Sequence, residues 1–126
     1  MAKVEKFEDL FVWQQARTLM QEIYRISKCT AFARDFRLVG QIQGAAISVM
    51  GNIAEGFDRG RRAEFHQFLS IAKGSCGEVR SHLYVALDAG YILQEEFDRI
   101  KKLCLDVSGL INRLRMSIGG WEATND

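Results

Sequence analysis

Residues 36–55 read FRLVGQIQGAAISVMGNIAE, and this stretch decides the fold. Leu38, Ile42, Ala46, Val49 and Ile53 recur at spacings of three and four, the period of one helix face. Gly40, Gly44 and Gly51 interrupt that helix, each at a cost of about 1 kcal/mol relative to alanine. They therefore imply a packing reason, most simply the close approach of a neighbouring helix. A second face steps through Gln41, Ala45, Ser48, Asn52 and Glu55, again one helix turn apart. A polar face is normally solvated, yet no lysine or arginine stands between Gly40 and Gly56. A helix lacking long solubilising charges is covered on more than one side. This predicts burial of the Gln41, Ser48, Asn52 and Glu55 face, inside a bundle or against another subunit, with its polar groups hydrogen-bonded.

Working outward toward the C-terminus, residues 56–60 predict a turn, followed by a third helix over 62–88. Its apolar stripe is Phe65, Phe68, Leu69, Ala72, Cys76, Val79, Leu83 and Leu87, and Gly90 ends it. Within it, Gly74, Ser75 and Gly77, with Glu78 beyond, predict a tight helix crossing. A fourth helix over 95–118 carries Phe97, Ile100, Cys104, Val107, Ile111, Leu114 and Ile118. It opens on Glu95 and Glu96 and closes near Arg113 and Arg115, the charge order a helix dipole favours. Gly119 and Gly120 then release a polar tail.

Toward the N-terminus, Asp35 stands as the cap of the glycine-containing helix, and residues 29–34 read as a connection. A first helix over 9–28 presents Leu10, Trp13, Ala16, Met20, Ile23 and Ser27. The chain contains no proline, which favours long uninterrupted helices. Helices of about 20 residues, each about 30 Å long and joined by short turns, predict an all-α, up-down-up-down antiparallel four-helix bundle. It occupies residues 1–126 as one domain.

The net charge is +1, from 17 basic and 16 acidic side chains, so any polyanion must be met by a local patch. One is present in GFDRGRR, residues 56–62. Arg59, Arg61 and Arg62, with Arg37 as an outlying member, make a candidate RNA- or DNA-binding site at a helix start. The competing reading is a solvated basic turn with Arg59 paired to a nearby carboxylate. Gly51 and Gly56 have P-loop spacing, but no Lys-Ser/Thr follows.

Catalytic and metal chemistry find little footing. A bundle metal site needs paired Glu-x-x-His motifs, whereas Glu78 and His82 are four apart and His66 has no glutamate three residues before it. Neither histidine has a local nucleophile arrangement, so no catalytic residue, metal or cofactor is expected. An enzyme or metal carrier would have to bring Glu55, Glu78 and His82 together in space. Cys29, Cys76 and Cys104 form no CxxC spacing and read as small apolar fillers in a reducing compartment. The charged opening residues and the absence of an apolar run of about 18 residues add to a cytoplasmic expectation with no membrane contact.

Ordered matches along nearly the whole chain resemble a bacterial four-helix-bundle family, whose founding members are encoded in intervening sequences of large-subunit ribosomal RNA genes. Phe7-Glu8-Asp9-Leu10 with Trp13, Ala16 and Tyr24 resembles the family's first helix. Phe36, Leu38, Gln41, Ala45 and Ser48, then Asn52-Ile53-Ala54-Glu55-Gly56 with Arg59, resembles its most specific motif. Phe65, Phe68-Leu69, Ala72, Gly74-Ser75, Glu78, Leu83 and Gly90-Tyr91 continue the likeness. The resemblance implies a ring-shaped homopentamer. It also includes a retroelement accessory protein that binds nucleic acid through a basic surface. This chain departs from the family pattern at Gln43 and Gly44, where basic residues are common, and at Ala33 and Met50, where prolines are. The leading expectation is a non-enzymatic homo-oligomeric scaffold, and the alternative is a nucleic-acid-binding accessory protein.

Overall fold

The computed structural model describes residues 4–118, and helices make up its regular structure. A short 3-10 turn, Phe7–Asp9, leads into α1 (Phe11–Ser27) and the single-turn α2 (Thr30–Arg34). Three long helices follow: α3 (Phe36–Asp58), α4 (Arg62–Asp88) and α5 (Gln94–Ser117). Among the described residues there is no strand, and no helix is long and apolar enough to cross a membrane. The expected glycine-led tail at Gly119 and Gly120 lies outside the described residues.

Each boundary has a local cause. The Asp35 carboxylate caps α3, accepting the Leu38 N–H at 3.1 Å, and Tyr91 Oη donates to its other oxygen at 2.9 Å. One side chain thus fixes the start of α3 against the α4–α5 connection. At the end of α4, Gly90 takes φ of 80° while the Tyr91 N–H bonds to the Ala86 carbonyl and the Gly90 N–H to Leu87. That pair of bonds is a Schellman ending, which satisfies carbonyls the helix leaves over.

The core is one cluster fed by all four long helices. Leu38, Ile42, Ala46, Val49 and Ile53 of α3 are buried, as are Phe97, Ile100, Cys104, Val107 and Ile111 of α5. In α1 the buried set is Val12, Ala16, Leu19, Ile23, Ile26 and Ser27, so the stripe is rotated from the predicted one. Leu10, Trp13 and Met20 pack on its margin instead. The pairing of α3 with α4 is the most extensive, followed by α4 with α5 and α1 with α3.

The structure corrects several readings of the sequence. Residues 29–34 are not a plain connection, because α2 inserts Phe32, fully buried and stacked on Tyr91 with centroids 5.3 Å apart. The turn expected over 56–60 is shorter. Helix α3 continues through Gly56 and Phe57 to Asp58, and the break falls at Gly60, with φ of 76°. Cys29 is exposed rather than a core filler, whereas Cys76 and Cys104 are buried.

Candidate functional site

The α3–α4 pair carries most of the residues singled out in the sequence. Ser75 of α4 is buried, and its hydroxyl lies 2.8 Å from that of Ser48 on α3. Asn52 Nδ2 donates to the Ser48 carbonyl at 2.8 Å and to Ser48 Oγ at 2.9 Å. These three residues form the hydrogen-bonded polar seam the sequence implied. Within the lone chain Gln41 and Glu55, at the two ends of the face, are exposed, as is Glu78. Glu55 accepts from Arg59 at 2.8 Å, while Glu78 joins Gly40, Gln41, Gly44, Ala45 and Ser48 around an open groove of about 240 Å³.

The glycines behave opposite to expectation within the chain. A Cβ added at Gly40, Gly44, Gly51, Gly74 or Gly77 would meet nothing within 4 Å, so no internal helix crossing explains them. The close approach is at Gly56 instead, where an added Cβ would lie 2.6 Å from Phe68 Cβ and 3.1 Å from Phe65 Cδ1. Gly40, Gly44, Ile47 and Gly51 follow one another at spacings of four, three and four, making a single exposed line along α3. Ile47 is 48% exposed there, and Ile71 on α4 is 51% exposed. The sequence assigns these glycines to the close approach of a neighbouring helix, and within the chain no such helix lies over them. The glycine spacing with an isoleucine between was the signal available.

At the α3–α4 turn the arginines separate. Arg59 is held by Glu55 at 2.8 Å and Glu64 at 3.4 Å, with its guanidinium 5.0 Å from the Phe68 ring centroid. Hydrogen bonding to Glu55 raises its pKa above the ordinary arginine value. Arg59 is thus paired with nearby carboxylates, as the competing reading has it. Arg37 sits near the start of α3, about 30 Å along the helix from the turn, beside a separate hollow lined by Asp35, Gln41 and His82. Arg61 and Arg62 are exposed at the start of α4, whose N-cap residue makes no side-chain capping bond. They line a hollow of about 410 Å³ with Glu5, Phe57, Asp58, Gly60 and Phe65.

The ionisable groups weighed for catalysis line different parts of the surface. Glu55 is paired with Arg59, Glu78 borders the α3–α4 groove, and His82 lines the hollow near Asp35 with a buried, unpartnered Nε2. Among the described residues no group of three or more His, Cys, Asp or Glu side chains is placed to hold a metal ion. Burial pushes the Cys76 and Cys104 thiols up to about 12, which leaves them protonated and poor nucleophiles.

The ordered helix features agree with the sequence profile of the 23S rRNA-intervening sequence proteins, which matches residues 8–113. The chain belongs to that family. A solved structure from Bacteroides thetaiotaomicron VPI-5482, described as a protein with unknown function from the S23 ribosomal protein family, superposes with a TM-score of 0.77. It is 22% identical, and the match covers 82% of this chain and 97% of that one. At that identity the likeness is one of fold. Comparison with curated proteins gives no match. Between α3 and α4, Ser48 bonds to Ser75 and Gly56 admits the close approach of Phe68, while Asn52 braces Ser48 from within α3.

Proposed function

We propose that this protein is a non-enzymatic scaffold working as a homo-oligomer, a ring-shaped pentamer being the assembly its family resemblance implies. In this reading the four long helices run up-down-up-down, and the outward line of α3 with the adjoining face of α4 meets sister chains. The observation that carries it is the empty space over Gly40, Gly44, Gly51 and Gly74. Exposed glycines inside a helix cost about 1 kcal/mol each relative to alanine and gain nothing from the lone chain. A neighbouring backbone lying close over the line gives them a purpose, and the half-exposed Ile47 and Ile71 would then be covered. Sedimentation velocity of the wild type should give a mass several times 14.3 kDa, and Gly44→Arg should reduce it while helicity is retained. A wild-type monomer at micromolar concentration would overturn this reading.

A second reading, an RNA- or DNA-binding accessory protein, is favoured by the exposed pair Arg61 and Arg62 beside an aromatic hollow. Repetition of the pair around a ring would let weak sites act together through effective concentration. Binding should weaken steeply with salt as counterions are released, and Arg61→Ala with Arg62→Ala should flatten that dependence. Affinity indifferent to salt, or to the double substitution, would remove it.

A further inference from the structure

We propose that the hollow between α1 and α5 is the seat for a second copy of this chain, which enters it with the outward side of α3 and α4. The inference rests on the scaffold reading above and adds the surface that receives the sister chain.

The lining is the first argument. Phe11 of α1 with Leu105 and Leu110 of α5 border a hollow of about 340 Å³. Phe11 is 59% and Leu105 46% exposed, so the lone chain leaves apolar surface in water here. Beside Leu110 stands Gly109, over which an added Cβ would meet only Arg113 Nη1, at 3.8 Å. A backbone can therefore come close at this point, as it can over Gly44 of the incoming helix, where an added Cβ meets nothing within 4 Å. Crossing there brings Phe11 and Leu105 of the seat against the half-exposed Ile47 and Ile71 of the incoming copy, and takes all four out of water.

Charge is the second argument. On the seat, Asp106 is spent on Lys102 at 3.0 Å, whereas Arg113 is exposed and pairs with no carboxylate among the described residues. On the incoming side Glu78 is exposed beside the glycine line and likewise unpaired, and no lysine or arginine stands between Gly40 and Gly56. The seat thus offers a free cation and the incoming side a free carboxylate. Two α3–α4 sides laid face to face would instead gather like charges and leave Phe11 and Leu105 in water.

Position completes the case. Helices α1 and α4 each pack on both α3 and α5, so the α1–α5 side lies across the bundle from the α3–α4 side. A seated copy keeps its own α1–α5 hollow open for the next, the head-to-tail contact from which rings and open chains are built.

The test is sedimentation velocity of the full chain at micromolar concentration with two single variants, Gly44→Arg on the incoming side and Gly109→Arg on the seat. Both positions have room for a side chain within the fold, and circular dichroism melts check that each variant is folded. Each alone should lose the wild-type assembly and sediment as one chain. Mixed in equal amounts they should pair as two chains, because Gly44→Arg keeps an intact seat and Gly109→Arg an intact incoming side. Phe11→Ser, a second seat variant at an exposed position, should behave as Gly109→Arg does. If the wild type assembles but the two seat variants assemble equally well, or the mixture fails to pair, the seat is refuted and the scaffold reading survives. A wild type that is itself a single chain refutes both.

Discussion

Substituting Gly56 by alanine tests a close contact between α3 and α4. The added methyl would sit 2.6 Å from Phe68 Cβ, an atom fixed directly to the backbone of α4. Carbon atoms pack best at about 3.5–4.0 Å, so the two helices must part locally by about 1 Å. Overpacking of this kind costs about 1–3 kcal/mol, against a gain of about 1 kcal/mol from alanine's helix propensity. Because no flexible side-chain end can yield, the cost falls at the upper end, leaving a net loss of about 2 kcal/mol. For a chain of this size that lowers the melting midpoint by about 5–10 °C. The internal control is Gly77→Ala in the middle of α4, where an added Cβ meets nothing within 4 Å. That variant should gain about 1 kcal/mol and melt about 3–5 °C higher. Thermal denaturation followed by circular dichroism at matched concentration reads both. A Gly56→Ala protein as stable as wild type would refute the claim that this glycine exists for close packing.

Other consequences are equally accessible. At pH 8 a thiol reagent should label Cys29 promptly and reach Cys76 and Cys104 only on unfolding; rapid labelling of all three would contradict the buried placement. Glu22 and Glu96 interleave with Arg25 and Arg99 between α1 and α5, and hydrogen bonds from these arginines hold both carboxyls below their usual range. Lowered folded-state pKa values mean the stabilisation is complete above the unfolded value of about 4.3 and is lost as pH falls through the folded values. With the arginines half-exposed, the double variant Glu22→Gln, Glu96→Gln should lose only about 1 kcal/mol at pH 7, and its stability should merge with that of wild type as pH falls through the lowered folded-state values. Equal stability at pH 7 or a gap that widens in acid would contradict the network's role. Tyr91→Phe, which deletes the bond to Asp35 but keeps the stack on Phe32, should cost about 1 kcal/mol by denaturant titration; no loss would mean the cap does not need its anchor.

Helix positions were legible because burial follows the 3.6-residue period wherever a segment is long. The fourth predicted helix, 95–118, is α5 at Gln94–Ser117, and of its predicted stripe Phe97, Ile100, Cys104, Val107 and Ile111 are buried while Leu114 and Ile118 are partly buried against the core. Helix α2 escaped notice because five residues hold too few turns for a period to register, although Phe32 was available as an apolar anchor. The α1 stripe was misplaced because both Trp13, on the margin, and Leu19, in the core, fit a spacing of three or four. Polar partners were less readable still. Gln43, which donates to Ser27 Oγ at 2.9 Å and ties α1 to α3, carries no sequence mark that separates it from the exposed Gln41.

Glycine was the residue most often misread, and the reason is physical. A missing Cβ serves a turn, a close helix contact or an approach from outside, and sequence spacing alone does not choose among them. Gly56 had the context of a turn and proved to be a contact, while Gly40, Gly44 and Gly51 had the context of contacts and face open space. The Ser48–Ser75 bond and the close contact at Gly56 join α3 to α4 within the chain, with Asn52 bracing Ser48 from its own helix. What the pair presents outward is a smooth, uncharged line on α3 and, past its end, an arginine-edged aromatic hollow. Gly51→Ala separates the two uses of such a line: in a lone chain it can only strengthen the helix, by about 1 kcal/mol. Against a close neighbour the same methyl must push the subunits apart. A variant that melts higher as a monomer yet assembles less well would be the signature of a surface shaped for contact with another chain, and one that assembles as before would leave the glycines without that purpose.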